Sequence, residues 1–415
     1  MRKSSILSVL ALLGTCAFAQ NKDKGQLIEV PKGGFYDDVV LKDVQMVDDV
    51  LEAKAPKMKY IMDQSGLDLP NKVDLYKRQW VNTPISQGNA GTCWDFSTIS
   101  FYETEVFRQT GKKVKLSEMY NVYFEYIDKA RRFVQERGDS KFSEGSEGNA
   151  LARIANLNGM MPESAYKGLL NGRKYFTHAD MFDEMNKYLK SVKLSNAWNE
   201  AEVMATIRDI LKHYMGEPPV KFTVDGKEYT PMSYMKDYLK LNPNDFVEIL
   251  SYQQKPFWKQ VEYEVTDNWW HSDDYYNIPL EDFMKAAKQA IRNGYTMSIG
   301  GDVSEAGLSR KTQCAMIPDF DIPSAYINDD SRQFRFSNKT TTDDHGMHLI
   351  GYVENYNGDG KDWFLIKDSS AGSRNNDSTA PEFGYYFFSE DYFKLKMMGF
   401  TVHKDAVKEI LSKFK

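Results

Sequence analysis

The chain has 415 residues, 41% of them apolar and 27% charged, with a formal charge of −6. Its 24 Phe, 25 Tyr and 7 Trp are too many buriable rings for a solvated chain, which excludes disorder as the dominant state. The acidic balance, with no basic block, excludes a nucleic-acid partner held by phosphate contacts, and three cysteines, Cys16, Cys93 and Cys314, exclude a disulfide scaffold.

Arg2 and Lys3 precede an apolar stretch from Ile6 to Ala19 that closes in Ala17, Phe18 and Ala19. This is the layout of a cleaved export signal over residues 1–19, too short to read as a membrane span. Lipid attachment at Cys16 is disfavoured, because Thr15 stands where a small Gly or Ala is needed. The mature protein is therefore expected outside a bacterial cytoplasm, periplasmic or extracellular, with no span of its own. Residues 20–80 read as an N-terminal arm that wraps the body.

A glycine-bearing loop from Pro84 to Gly91 leads at once into a helix in which Cys93, Trp94, Phe96, Ile99, Val106 and Phe107 recur near the 3.6 period, closed by Gly111. A second helix runs from Ser117, as N-cap, to about Gln135. Further helices are predicted near 145–158, 181–194 and 202–214. Asp225 and Gly226 mark a hairpin between Val220 and Tyr229. Another helix spans Leu280 to Arg292. After it the pattern turns strand-like, at Tyr295–Gly300, Met347–Val353, Trp363–Lys367 and Gly384–Phe388. Helices first and strands last indicate an α+β arrangement.

Cys93 occupies the first turn of its helix, where free N–H groups and the helix dipole favour a thiolate. A structural cysteine more often sits mid-helix on the apolar face. His345 stands at the entrance of a strand, rigidly held yet able to reach a cleft. His348 lies three residues on, faces the opposite side and reads as a packed or hydrogen-bonded residue. The two histidines lack the partners a metal site needs, so no metal and no cofactor is assigned. Asp368 ends the next strand, which returns as a hairpin through Asn357–Gly360, and it can hold the second ring nitrogen of His345.

The segments Gln87–Ser97, with Cys93, Trp94 and Phe96, and Asp344–Tyr352, with His345 and Gly351, resemble the active-site segments of papain-like cysteine peptidases. Within that clan the likeness is to the bleomycin hydrolase and aminopeptidase C branch. It is carried by the helix from Ser117 with Asp128 and Lys129, by Gly159–Tyr166, by Ile291–Gly294 leading into Gly300–Val303, and by Gly384–Tyr386. Cys93 and His345 stand 252 residues apart, against roughly 130–150 in simpler papain-like enzymes, which fits an insertion-bearing branch.

The resemblance implies a papain-like two-lobe fold over residues 81–415. A helical lobe stands beside an antiparallel β-barrel-like lobe at about 290–402, with a large helical insertion at about 134–270. It implies an aminopeptidase that hydrolyses peptides, with Cys93 as nucleophile, His345 as general base and Asp368 in place of the branch's usual Asn. Gln87 becomes an oxyanion donor beside the Cys93 backbone N–H. Peptides are the expected partners, and a homo-oligomer is the family's habit. Two departures stand out. Ser370 replaces a shielding Trp, and the chain closes in Val407–Lys415 without the long arm that, in better-known relatives, lies in the cleft and restricts cleavage to free N-termini. Those departures keep two alternatives in play, an open-cleft endopeptidase and a non-catalytic peptide binder. A Cys93–Cys314 disulfide would silence the thiol, so none is expected.

Overall fold

The computed structural model describes residues 60–170, 172–173, 175–369, 379 and 381–414. The export signal, Cys16, most of the N-terminal arm and Ser370 lie outside the described residues.

Helix α1 (Cys93–Thr110) stops at Gly111, whose φ of 71° is the left-handed cap geometry and whose N–H bonds the Phe107 carbonyl at 2.8 Å. Every residue of α1 from Trp94 to Val106 is buried, so the helix is enclosed on all sides rather than along one stripe. Two of its buried acids are paired accordingly: Glu103 with Lys115 at 3.2 Å, and Glu105 with Arg108 at 2.6 Å. Helix α2 (Glu118–Gln135) is capped by Ser117, whose hydroxyl accepts the Tyr120 N–H at 3.1 Å. Helices α3 (Ala150–Asn158), α4 (Ala179–Ser195) and α5 (Glu200–Met215) complete a helical layer. Its core joins Phe101, Tyr126, Ile154, Met185 and Ile207.

Twelve strands are described: β1 (Lys77–Arg78), β2 (Phe222–Val224), β3 (Lys227–Tyr229), β4 (Phe246–Leu250), β5 (Lys259–Val261), β6 (Tyr275–Asn277), β7 (Met297–Gly301), β8 (Cys314–Ala315), β9 (His345–Val353), β10 (Trp363–Lys367), β11 (Tyr385–Ser389) and β12 (Met397–His403). The pair β2 and β3 forms the expected hairpin. The other ten form one sheet in the order β5-β6-β4-β12-β7-β9-β10-β11-β8, with β1 added to β9. Helix α6 (Leu280–Arg292) packs on it through Phe283, Ala287 and Ile291, against Ile299, Leu349 and Phe364.

This overturns the β-barrel-like lobe. A barrel needs its first and last strands to exchange hydrogen bonds along matched lengths. Here the edges are three-residue β5 and two-residue β8, and they do not pair with each other. Nor is the sheet purely antiparallel, because β4–β6 and β11–β8 run parallel. The fold is α+β with an open mixed sheet. Two of its strands, β4 and β5, fall in the stretch expected to be a helical insertion.

Among the described residues no helix is long and apolar enough to cross a membrane. Cys93 and Cys314 are both free thiols.

Candidate active site

Helix α1 lies across the sheet where β9 and β7 pair, with His345 opposite Gly301 and Gly346 opposite Gly300. The approach is close. A Cβ added at Gly346 would lie 2.9 Å from Ser97 Oγ and 3.3 Å from the Cys93 carbonyl oxygen. Glycine at 346 is thus what lets the N-terminal turn of α1 settle beside the start of β9. Through that contact Cys93 and His345 line the same cleft.

Asp368 follows the last residue of β10 and is held by its backbone N–H to the Gly384 carbonyl at 2.9 Å. Its Oδ1 sits 2.6 Å from His345 Nε2. That bond turns the other ring nitrogen, Nδ1, to Cys93, whose side chain hydrogen-bonds the ring. Burial works against a charged imidazole. The Asp368 carboxylate and then the Cys93 side chain outweigh it and push the His345 pKa up to about 10.

Gln87 is anchored rather than free. Its backbone N–H donates to the Ser369 carbonyl at 2.8 Å, and its Oε1 accepts the Ser369 hydroxyl at 2.5 Å. Its Nε2 donates to the Ala90 carbonyl at 2.6 Å. The Gln87 loop is thereby tied to the segment that carries Asp368.

His348 lies on the opposite face of β9, fully buried, with Nδ1 2.9 Å from Ser100 Oγ. Lys367 Nζ donates to the same hydroxyl at 2.8 Å. The ammonium can only donate, so the Ser100 oxygen accepts from Lys367 and shares a second hydrogen bond with His348 Nδ1. Burial, helped by the Lys367 charge, holds the His348 pKa well below its usual value, and the ring is neutral. Burial in turn lowers Lys367 to about 8.

Asp95 in the first turn of α1 is a surprise beside a thiol. It is fully buried, and burial pushes its pKa well above the carboxylate range. The carboxyl faces Asn121, and its enclosure disfavours a negative charge at the helix end where Cys93 sits.

The cleft also gathers residues that sequence patterns did not single out: Glu147 before α3, Glu248 on β4, Asp267, and Asp343 before β9. They come from separate segments, and only the acidic pair Asp343–Asp344 ahead of His345 hinted at them. Residues 408–414 do not line this cleft. Phe414 packs on Trp258 and Tyr276, and Lys413 pairs with Asp282 of α6 at 3.0 Å.

Comparison with known proteins gives the following. Residues 164–415, which include His345 and Asp368, match the model of the Peptidase C1-like family. Aminopeptidase C of Listeria monocytogenes serovar 1/2a is 23% identical over 378 residues, covering 79% of this chain and 82% of that protein. Aminopeptidase G of Lactobacillus delbrueckii subsp. lactis is 22% identical over 362 residues, covering 77% and 80%. The crystal structure of PepW from Lactobacillus rhamnosis HN001 superposes with a TM-score of 0.64 at 17% identity, over 93% of this chain and 95% of that one, a likeness of fold. This chain belongs to the Peptidase C1-like family, and it is a papain-superfamily cysteine peptidase related to the aminopeptidase C and bleomycin hydrolase branch.

Proposed function

We propose that the protein is an aminopeptidase in which Cys93, His345 and Asp368 act as nucleophile, acid–base and orienting acceptor. The observation that carries this reading is the chain of contacts Cys93–His345–Asp368, with Nε2 of the ring 2.6 Å from the carboxylate. In this scheme the Cys93 thiolate attacks the carbonyl carbon of the scissile bond. Negative charge builds on the carbonyl oxygen, received by the Cys93 backbone N–H and by the second amide proton of Gln87 Nε2. His345 then passes its Nδ1 proton to the departing amine, leaving an acyl thioester on Cys93. Water, deprotonated by His345, attacks the thioester, releases the acid and restores the thiol–imidazole pair. Asp368 stays ionised throughout and keeps the ring in one orientation.

Aminopeptidase action is favoured by the names of the relatives that span most of the chain. An endopeptidase reading is favoured by one observation: residues 408–414 pack against α6 and β6 rather than along the cleft. One peptide offered with a free and with an acetylated N-terminus tests the choice. Loss of cleavage on acetylation supports the aminopeptidase; equal rates sink it. The basic start and small-residue end of residues 1–19 support export, testable by fractionating cells that make the full chain.

A further inference from the structure

Carboxyls dominate the walls of the cleft, with the His345 ring at its catalytic end as their one basic neighbour among the described residues. Glu147, Glu248, Asp267, Asp343 and Asp344 line it, and no Lys or Arg does among the described residues. Two of the five have evident structural work. Asp267 pairs with Lys141 at 3.8 Å, and Asp344 Oδ1 accepts the Val303 N–H at 3.0 Å. The other three have no basic partner among the described residues. Glu248 accepts only the Thr401 hydroxyl, at 2.8 Å to each oxygen. The Glu147 side chain makes neither a hydrogen bond nor an ion pair there, and it lies close enough to Cys93 to interact with it electrostatically. Asp343 faces Tyr263, whose ring is 2% exposed and whose hydroxyl, on the cleft wall, is sealed from solvent without a hydrogen bond of ordinary geometry.

Crowding carboxyls in a half-exposed cleft around a sealed hydroxyl that lacks a hydrogen bond of ordinary geometry sets them in mutual repulsion, which a positive group sharing the space would relieve. The lack of a side chain at Gly145 lets Asp267 reach the cleft wall. A Cβ at Gly145 would lie 2.3 Å from Asp267 Oδ2. Burial raises all three carboxyls: Asp343 and Glu248 to about 7 and Glu147 well above its usual range. A cation placed among them would reverse that shift and be bound in proportion.

We propose that this acidic floor receives a positively charged group of the peptide, an ammonium or a guanidinium, while its neighbouring carbonyl faces Cys93. The assignment rests on the peptidase reading for its ligand, but not on turnover. It names a selecting element made of Glu147, Glu248 and Asp343 rather than of the chain's terminus. The cation has two sources, a Lys or Arg side chain or the free amino terminus.

The test uses the full chain carrying Cys93→Ser, so that peptides bind without being cut, and reads affinity by calorimetry. One arm compares acetylated tetrapeptides that differ only in Lys, Arg, Gln or norleucine at a single position, scanned in turn. The other compares the norleucine peptide with a free and an acetylated terminus. A preference for charge on the order of tenfold in the first arm assigns the side chain; in the second alone, the terminus. Asp343→Asn with Glu248→Gln brings the ratio to about one, and Asp343→Asn alone serves if the pair does not fold. Equal affinity in both arms, no binding of any cationic peptide, or a preference that survives the substitutions overturns the assignment. Turnover by the unsubstituted enzyme separates the two readings. Hydrolysis of charged and neutral peptides alike removes the acidic floor and leaves the peptidase, whereas cation-selective binding with no hydrolysis does the reverse.

Discussion

His345 and Asp368 meet from adjacent antiparallel strands, Nε2 to Oδ1 at 2.6 Å, because β9 and β10 are joined as a hairpin with Lys367 opposite His348. A carboxylate in this place does more than orient the ring. It also holds the imidazolium, with a pKa up at about 10.

Removing that charge therefore alters the pH profile as well as the rate. In Asp368→Asn the ring keeps an acceptor but loses the stabilising charge, so the alkaline limb of kcat/KM moves to lower pH. Asp368→Ala loses orientation too, and kcat falls by on the order of 10² or more. Measuring kcat/KM from pH 6 to 10 for the three proteins checks this; an unmoved alkaline limb in Asp368→Asn contradicts it.

Cys93→Ala is expected to lower kcat by at least about 10³ with little change in Tm, since the residue sits half-buried in the first turn of α1. A thiol-directed peptide reagent should modify the unsubstituted protein at Cys93 and leave Cys314 alone. Cys314 is fully buried, and burial pushes its pKa up to about 12. Mass spectrometry of the labelled peptides reads both results.

Gly346→Ala pushes a methyl against Ser97 and the Cys93 carbonyl. The expected stability loss is about 1–3 kcal/mol. Because the clash separates the two elements that hold Cys93 and His345, kcat should drop more than in a control of equal Tm loss placed in the α6 core, such as Ile291→Val. Equal losses in kcat would show that the close approach is only packing.

Selection of charge in the cleft should follow pH. The groups facing Asp343 and Glu248 are Glu147, Asp267, Asp274, Asp302, Asp344, Tyr263 and Tyr275, together with the Thr401 hydroxyl. Both carboxyls titrate at about 7 in the empty cleft. They are neutral below that pH and charged above it, so the affinity ratio for charged over neutral peptide should rise between pH 6 and 8. A ratio that is flat across this window contradicts the titration.

His178 sets an acid limit on the fold. Its ring is buried, its Nδ1 is 3.0 Å from the Tyr126 hydroxyl, and burial lowers its pKa to about 4. The folded value lies below the ordinary 6.5, so the unfolded chain takes up the proton first. This contribution to stability is complete above pH 6.5 and is lost as pH falls toward 4, by at most about 1.4 kcal/mol per pH unit. Urea titrations at pH 7 and 5 should show a smaller difference in His178→Gln.

Read from sequence alone, the helix from Cys93 to Gly111, the cap at Ser117, the hairpin at Asp225–Gly226 and the strands carrying His345 and Asp368 were all legible. Their signals are local: apolar period, a capping hydroxyl, turn residues. The opposite facing of His345 and His348 followed from strand geometry in the same way.

Only the tertiary structure decided the rest. Whether a sheet closes depends on which strands become its edges, and that is settled by pairing between segments as distant as β5 and β8. The raised pKa of Asp95 follows from its enclosure, which helical periodicity does not register. The acidic floor is assembled from Glu147, Glu248, Asp267 and Asp343, residues without any shared local pattern. The count of three cysteines excluded a disulfide scaffold, and the place of Cys93 in the first turn of its helix marked it as the candidate reactive thiol. The charge carried by the cleft around it depends on burial and on side chains meeting across the fold, and neither is written in any one stretch of the chain.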